Sequence, residues 1–290
     1  MAETKRKIAL FLALTFGLSA LTWIPQIQAG TIHPLWILAT MWCPAVAAIA
    51  TRLITQRNLR GFGWKPGKLK WLALAYVLPI FYALPVYLIA WSSGLGIFDE
   101  GKWIVAPNLT PLTGLAMIAS AGLAASLLSA TGEEIGWRGF LVPEMLKVSS
   151  FRRTTLVSGV IWAAWHMPLM IFAGYRGHGT PLIFSIVCFA AMIVGLAVIM
   201  AWITVKSGSF WPAAMLHATH NLFVQGVFDA ATVTNDSSAY WTGEFGAGLA
   251  LSMAIAAVLC LRISPLSDEA HEKGADPQDR PPSGANEPAA

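Results

Sequence analysis

Apolar runs about 17 to 25 residues long recur along the chain, separated by short connections that hold most of its charge. That length suits an α-helix crossing the hydrocarbon core of a bilayer. Eight such runs can be drawn, at approximately residues 8–25, 35–53, 71–91, 111–131, 154–173, 181–204, 210–229 and 245–262. The seventh is the weakest, because "FWPAAMLHATHNLFVQGVFD" carries two histidines, an asparagine and a glutamine, which must face protein or water rather than lipid. The pattern predicts an all-α polytopic membrane protein of about eight transmembrane helices over residues 1–263, with both termini cytoplasmic. Residues 264–290, rich in Pro, Gly, Asp and Glu, are expected to form a disordered cytoplasmic tail.

Composition agrees with the pattern: 56% of residues are hydrophobic and 12% charged. Lys and Arg gather on alternate connections, as cytoplasmic loops require. Lys5, Arg6 and Lys7 precede the first run; Arg52, Arg57, Arg60, Lys65, Lys68 and Lys70 follow the second; Arg138, Lys147, Arg152 and Arg153 follow the fourth. The opposite loops hold only Lys102, beside Asp99 and Glu100, and Arg176. Seven spans would break this alternation. The net charge of +4 is then explained by topology and anionic lipid headgroups, and no nucleic-acid partner is implied. The first run has a poor small-residue cleavage site and reads as a retained helix. Cys43, Cys188 and Cys260 all fall inside predicted spans, which suggests buried hydrophobes rather than disulfides or a thiolate metal cluster. An internal repeat is not evident, which disfavours a transporter, the distant third of the functions weighed.

The candidate chemistry lies in polar residues that an apolar span should not contain: Glu133, Glu134, Arg138, His166, His217, His220 and Asn221. An ionisable group in the hydrocarbon region costs about 2.5–3.5 kcal/mol and needs a partner, a water-filled cavity or a use. If the helix continues through "GEEIGWRGF", Glu134 and Arg138 stand four apart and can pair, leaving Glu133 about 100° away as the free carboxylate and a candidate general base. A solvated helix end would explain the same three charges equally well. His166 follows Trp162 by four residues, close enough for ring packing, and Pro168 should kink its helix. His217 and Asn221 share a helical face, while His220 suits a structural role.

A carboxylate, two imidazoles and an amide drawn from three spans can activate water and stabilise a tetrahedral oxyanion. That is the chemistry of peptide-bond hydrolysis. Two versions are open: Glu133, His166 and His217 hold a Zn²⁺ ion whose bound water attacks, or Glu133 and His166 polarise water directly while His217 and Asn221 form the oxyanion hole. HExxH and GxSxG are both absent.

In order and spacing these motifs resemble those of the CAAX protease and bacteriocin-processing family, which includes the type II CAAX prenyl endopeptidases and the Abi proteins. "EEIGWRG" matches EExxxR through Glu133, Glu134 and Arg138; "WAAWH" matches FxxxH through His166, with Trp162 in place of Phe; "HATHN" matches HxxxN through His217 and Asn221. The likeness covers about residues 115–225. It implies an intramembrane endopeptidase, often classed as a metalloprotease, whose conical cavity opens to the cytoplasm and bilayer. Glu133 and His166 would activate water, His217 and Asn221 would hold the oxyanion, and Arg138 would hold the glutamates. The substrate would be a peptide or lipidated protein at a bacterial inner membrane. The rival reading is a non-catalytic immunity or peptide-binding membrane protein.

Overall fold

The computed structural model describes residues 1–177, 179–235 and 237–263; the expected tail lies outside them. The described chain is all-α apart from a two-stranded antiparallel pair, β1 (Ile97–Phe98) with β2 (Thr232–Val233). The helices are α1 (Ala2–Ala29), α2 (Pro34–Gln56), α3 (Leu69–Ser93), α4 (Pro111–Leu146), α5 (Phe151–Phe172), α6 (Leu182–Ser207), α7 (Trp211–Asn221) and α8 (Ala247–Ile263). Six of them, α1 to α6, are long and apolar enough to cross a membrane. The two remaining expected spans differ for separate reasons. α7 is continued by a π-helix, Leu222–Asp229, but its buried polar residues dilute the apolar signal. α8 has 17 residues, which at about 1.5 Å each spans somewhat less than the hydrocarbon core.

Contacts at the helix ends sort the connections onto two faces. On one, Arg52 at the end of α2 meets Glu144 at the end of α4 (3.3 Å), and the Trp211 indole N–H donates to the Trp64 carbonyl (2.7 Å). Leu261 near the end of α8 packs there against Val142, Leu146 and Phe151. On the other face, β1 pairs with β2 and the Tyr175 hydroxyl donates to Glu244. α7 with its π-helical continuation runs from the first face to the second, and α8 returns.

Helix α4 does not stop near residue 131, where its apolar run ends in the sequence. It continues to Leu146, through π-helical turns at Ile118–Gly122 and Trp137–Leu141. Its two halves meet different surroundings. Leu112, Met117 and Leu128 in the first half are exposed, whereas every residue from Gly132 to Val142 is buried. Gly132 and Gly136 make this burial possible, being four apart on the face that meets α2. A Cβ on Gly132 would stand 2.7 Å from the Met41 carbonyl oxygen, and one on Gly136 would overlap Pro44. Small residues at this spacing let two backbones approach closely. Glu133 and Glu134 sit between these glycines, so a tight helix crossing fixes their height and direction. They lie about 16 Å along the helix from Glu144, counting 1.5 Å per residue, and so deep in the bundle rather than at the face where Glu144 lies.

Candidate active site

Neighbours in sequence, Glu133 and Glu134 enter different environments because successive helical residues point about 100° apart. Glu134 is fully buried, and its Oε1 accepts from the Arg138 guanidinium (2.9 Å) and from His217 Nδ1 (2.8 Å). Glu133 is only 1% exposed and forms no ion pair among the described residues. Its Oε2 accepts two indole N–H groups, from Trp162 at 2.6 Å and from Trp137 at 3.2 Å. Indoles can only donate, so they hold the carboxylate without neutralising it.

Trp162 connects the whole assembly. Its indole holds Glu133, and its backbone carbonyl accepts from His166 Nδ1 (2.9 Å). Its ring lies under the Arg138 guanidinium (4.2 Å to the centroid) and meets the His217 ring edge-on (5.3 Å, 69°). Because a carbonyl only accepts, His166 Nδ1 carries a proton, and in the neutral ring Nε2 keeps the lone pair. Trp165 and Phe189 pack against the same imidazole at 4.9 and 5.0 Å. The helix carries on through Pro168 to Phe172.

Glu133, His166, His217 and Asn221 all line one cavity of about 350 Å³. Arg138 and Glu134 stand behind this wall, paired with each other. His220 also touches the cavity, but both its ring nitrogens are engaged, Nδ1 with the Tyr82 hydroxyl (2.7 Å) and Nε2 with Glu244 (3.2 Å). Apolar side chains make up much of the remaining lining, including Trp23, Ile37, Leu169 and Ile193.

Among the described residues, no three His, Cys, Asp or Glu side chains gather closely enough to hold a metal ion. The expected zinc set of Glu133, His166 and His217 shares the cavity, and each keeps one donor atom that is not bonded to protein, since their contacts use Glu133 Oε2, His166 Nδ1 and His217 Nδ1. Those contacts are compatible with metal ligation through the other atoms, but as placed the three side chains do not gather closely enough for a three-ligand zinc site.

Several functional side chains escaped the sequence reading. Trp137 follows Glu133 by four residues, so helical spacing could have flagged it. Trp162, where the resembled motif has Phe, supplies an N–H that Phe lacks. Gln225, the glutamine of the seventh apolar run, lines the cavity four residues after Asn221, whereas Tyr175 and Glu244 reach it from distant parts of the chain where no local pattern marks them.

Comparison with known proteins bears on the same segment. Residues 115–223 match the family described as Type II CAAX prenyl endopeptidase Rce1-like. This segment is thus similar to the CAAX proteases. The match takes in all three motifs, from the first half of α4 to the helix that carries Asn221. A curated relative, "CAAX prenyl protease 2" of Methanococcus maripaludis, is 27% identical over 84 residues, which cover 28% of this chain and 31% of that protein. The six long apolar helices make the present chain an integral membrane protein.

Proposed function

We propose that this protein is an intramembrane endopeptidase that hydrolyses a peptide bond by water activation, on a CAAX-type peptide or lipidated protein. One observation carries the reading: groups from three helices line a single cavity, and of two adjacent buried glutamates only the one behind the wall is neutralised by arginine. The basic connections put the first face in the cytoplasm, and we read all eight helices as crossing the bilayer, which leaves both ends of the helical domain on that side.

The steps follow from the proton inventory. Glu133, tethered through Oε2, takes a proton from water while His166 Nε2 accepts the hydrogen bond that orients it. The water oxygen bonds to the scissile carbonyl carbon, and the oxyanion that forms receives hydrogen bonds from the Asn221 amide and from His217 Nε2. Donation from Nε2 calls for a doubly protonated ring, whose charge Glu134 balances at Nδ1. Collapse breaks the carbon–nitrogen bond, and the proton held by Glu133 passes to the leaving amine. The apolar lining suits a lipid chain or apolar side chains. The test is digestion of a panel of prenylated and unprenylated C-terminal peptides by the purified protein, read by mass. Cleavage with a preference for the prenylated set is expected; intact peptides throughout would favour a binder that does not cut.

A further inference from the structure

Glu244 is far from the three motifs in sequence, in the connection between α7 and α8, yet its carboxylate lines the same cavity as Glu133. The connection dips into the bundle at this point and is anchored there. Tyr87 of α3 donates to Asp229 (2.6 Å) and accepts the Gly243 backbone N–H (3.2 Å). The Trp241 indole donates to the Val86 carbonyl (3.0 Å), and Phe245 stacks on Phe189 of α6 (5.4 Å, 20°). Glu244 is thereby left only 6% exposed.

Both carboxylate oxygens have partners. Oε1 meets His220 Nε2 at 3.2 Å, and Oε2 accepts from the Tyr175 hydroxyl at 3.2 Å. Each partner in turn bears on a motif residue. His220 precedes Asn221 on α7 and is pinned at its other nitrogen by Tyr82 (2.7 Å). The Tyr175 ring stacks on His166, with centroids 6.2 Å apart and planes at 24°. A carboxylate can accept from both partners at once, whereas a glutamine offers one accepting oxygen and an amide that only donates, so it cannot replace both contacts as they stand. Its neutrality would at the same time lower the desolvation cost of the site.

We propose that Glu244 is a positioning residue of the hydrolytic site. Through Tyr175 it fixes the plane of the His166 ring, and through His220 it fixes the turn of α7 that presents Asn221. It does not touch the scissile bond. The kinetic part of this inference rests on the peptidase reading above, whereas its structural part does not.

The experiment compares wild type with Glu244→Gln, Tyr175→Phe and the double variant in detergent. It uses kinetics on a cleaved peptide, thermal unfolding, and histidine-ring NMR of ¹⁵N-labelled protein, with His166 assigned by its loss in His166→Gln. Glu244→Gln should lower kcat about tenfold or more at unchanged KM, because small misplacements of a reacting group are costly. Its Tm should hold or rise, and the His166 ring signals should move. The double variant should lose no more than the worse single one, since both act through one chain of contacts. Unchanged His166 signals and kcat in Glu244→Gln, or a kcat loss that only follows a fall in Tm, would overturn the proposal. If Glu244→Gln does not fold, Tyr175→Phe carries the same two readouts. If wild type cleaves nothing while the ring signals still move in the variants, the peptidase reading fails and the positioning of His166 stands.

Discussion

Among the described residues two glutamates are completely buried, Glu134 and Glu144, and each has two basic partners. Glu134 has Arg138 and His217; Glu144 has Arg52 (3.3 Å) and Lys147 (2.9 Å). Each leaves its Oε2 without a hydrogen-bond partner among the described residues. Both basic clusters also use aromatic faces, with Arg138 over Trp162 and Arg52 over Phe62 and Phe140 at 5.2 and 5.3 Å. The chemistry of the two clusters is nearly the same, and their surroundings are not. Glu144 closes the end of α4 against α2 and the start of the following connection. Glu134 stands behind the cavity wall next to Glu133, and its partners His217 and Arg138 abut the tryptophan that holds both Glu133 and His166. A buried ion pair thus does not mark an active site. What separates the two regions is an adjacent carboxylate held by neutral donors and open to a cavity.

Removing one cation from each cluster should separate the two roles. Arg138→Ala leaves Glu134 with only His217, which is a cation only when doubly protonated, so stability should fall by up to about 3–5 kcal/mol, and kcat should fall with it because Trp162 loses the cation packed on its ring. Denaturation in detergent alongside peptidase kinetics measures both. Arg52→Ala should cost a similar or smaller amount of stability, since Lys147 still balances Glu144, while the folded fraction keeps its kcat. Equal loss of kcat per folded molecule in both variants would erase the distinction. The smallest effect is expected for Trp162→Phe, which keeps the ring and removes one donor from Glu133. A hydrogen bond to a charged group contributes about 1.5–3 kcal/mol, and because Trp137 still donates to the same oxygen the low end applies, so kcat should fall by about tenfold while the Arg138 packing and the fold persist.

Much of this arrangement was legible in the sequence where it is local and helical. The four-residue spacing of Glu134 and Arg138 anticipates their contact, and that of His217 and Asn221 anticipates their shared cavity wall. Hydropathy located α1 to α6 because lipid-facing residues must be apolar whatever their neighbours. It misplaced the end of α4 because a run surrounded by protein can be polar and still lie deep in the bundle. "GEEIGWRG" reads as a helix end by charge, although its glycines press it against α2. The Glu133–Trp162 bond joins residues 29 apart, and Glu244 reaches the cavity from a connection on the far face. Such contacts depend on how the helices pack, which no single stretch of the chain specifies.

The most direct test is the activity of Glu133→Gln. The substitution keeps size, burial and an oxygen for the two indoles, and removes only the basicity of the carboxylate. Peptide cleavage by wild type and variant would be compared in detergent, each with chelator and with added Zn²⁺, next to their thermal unfolding profiles. The account predicts that the variant loses at least about a hundredfold in kcat with an unchanged profile, and that chelator leaves the wild type active. A variant that still cleaves at the wild-type rate would contradict Glu133 as the base. Loss of wild-type activity in chelator, restored by Zn²⁺, would contradict direct activation of water by Glu133 and His166.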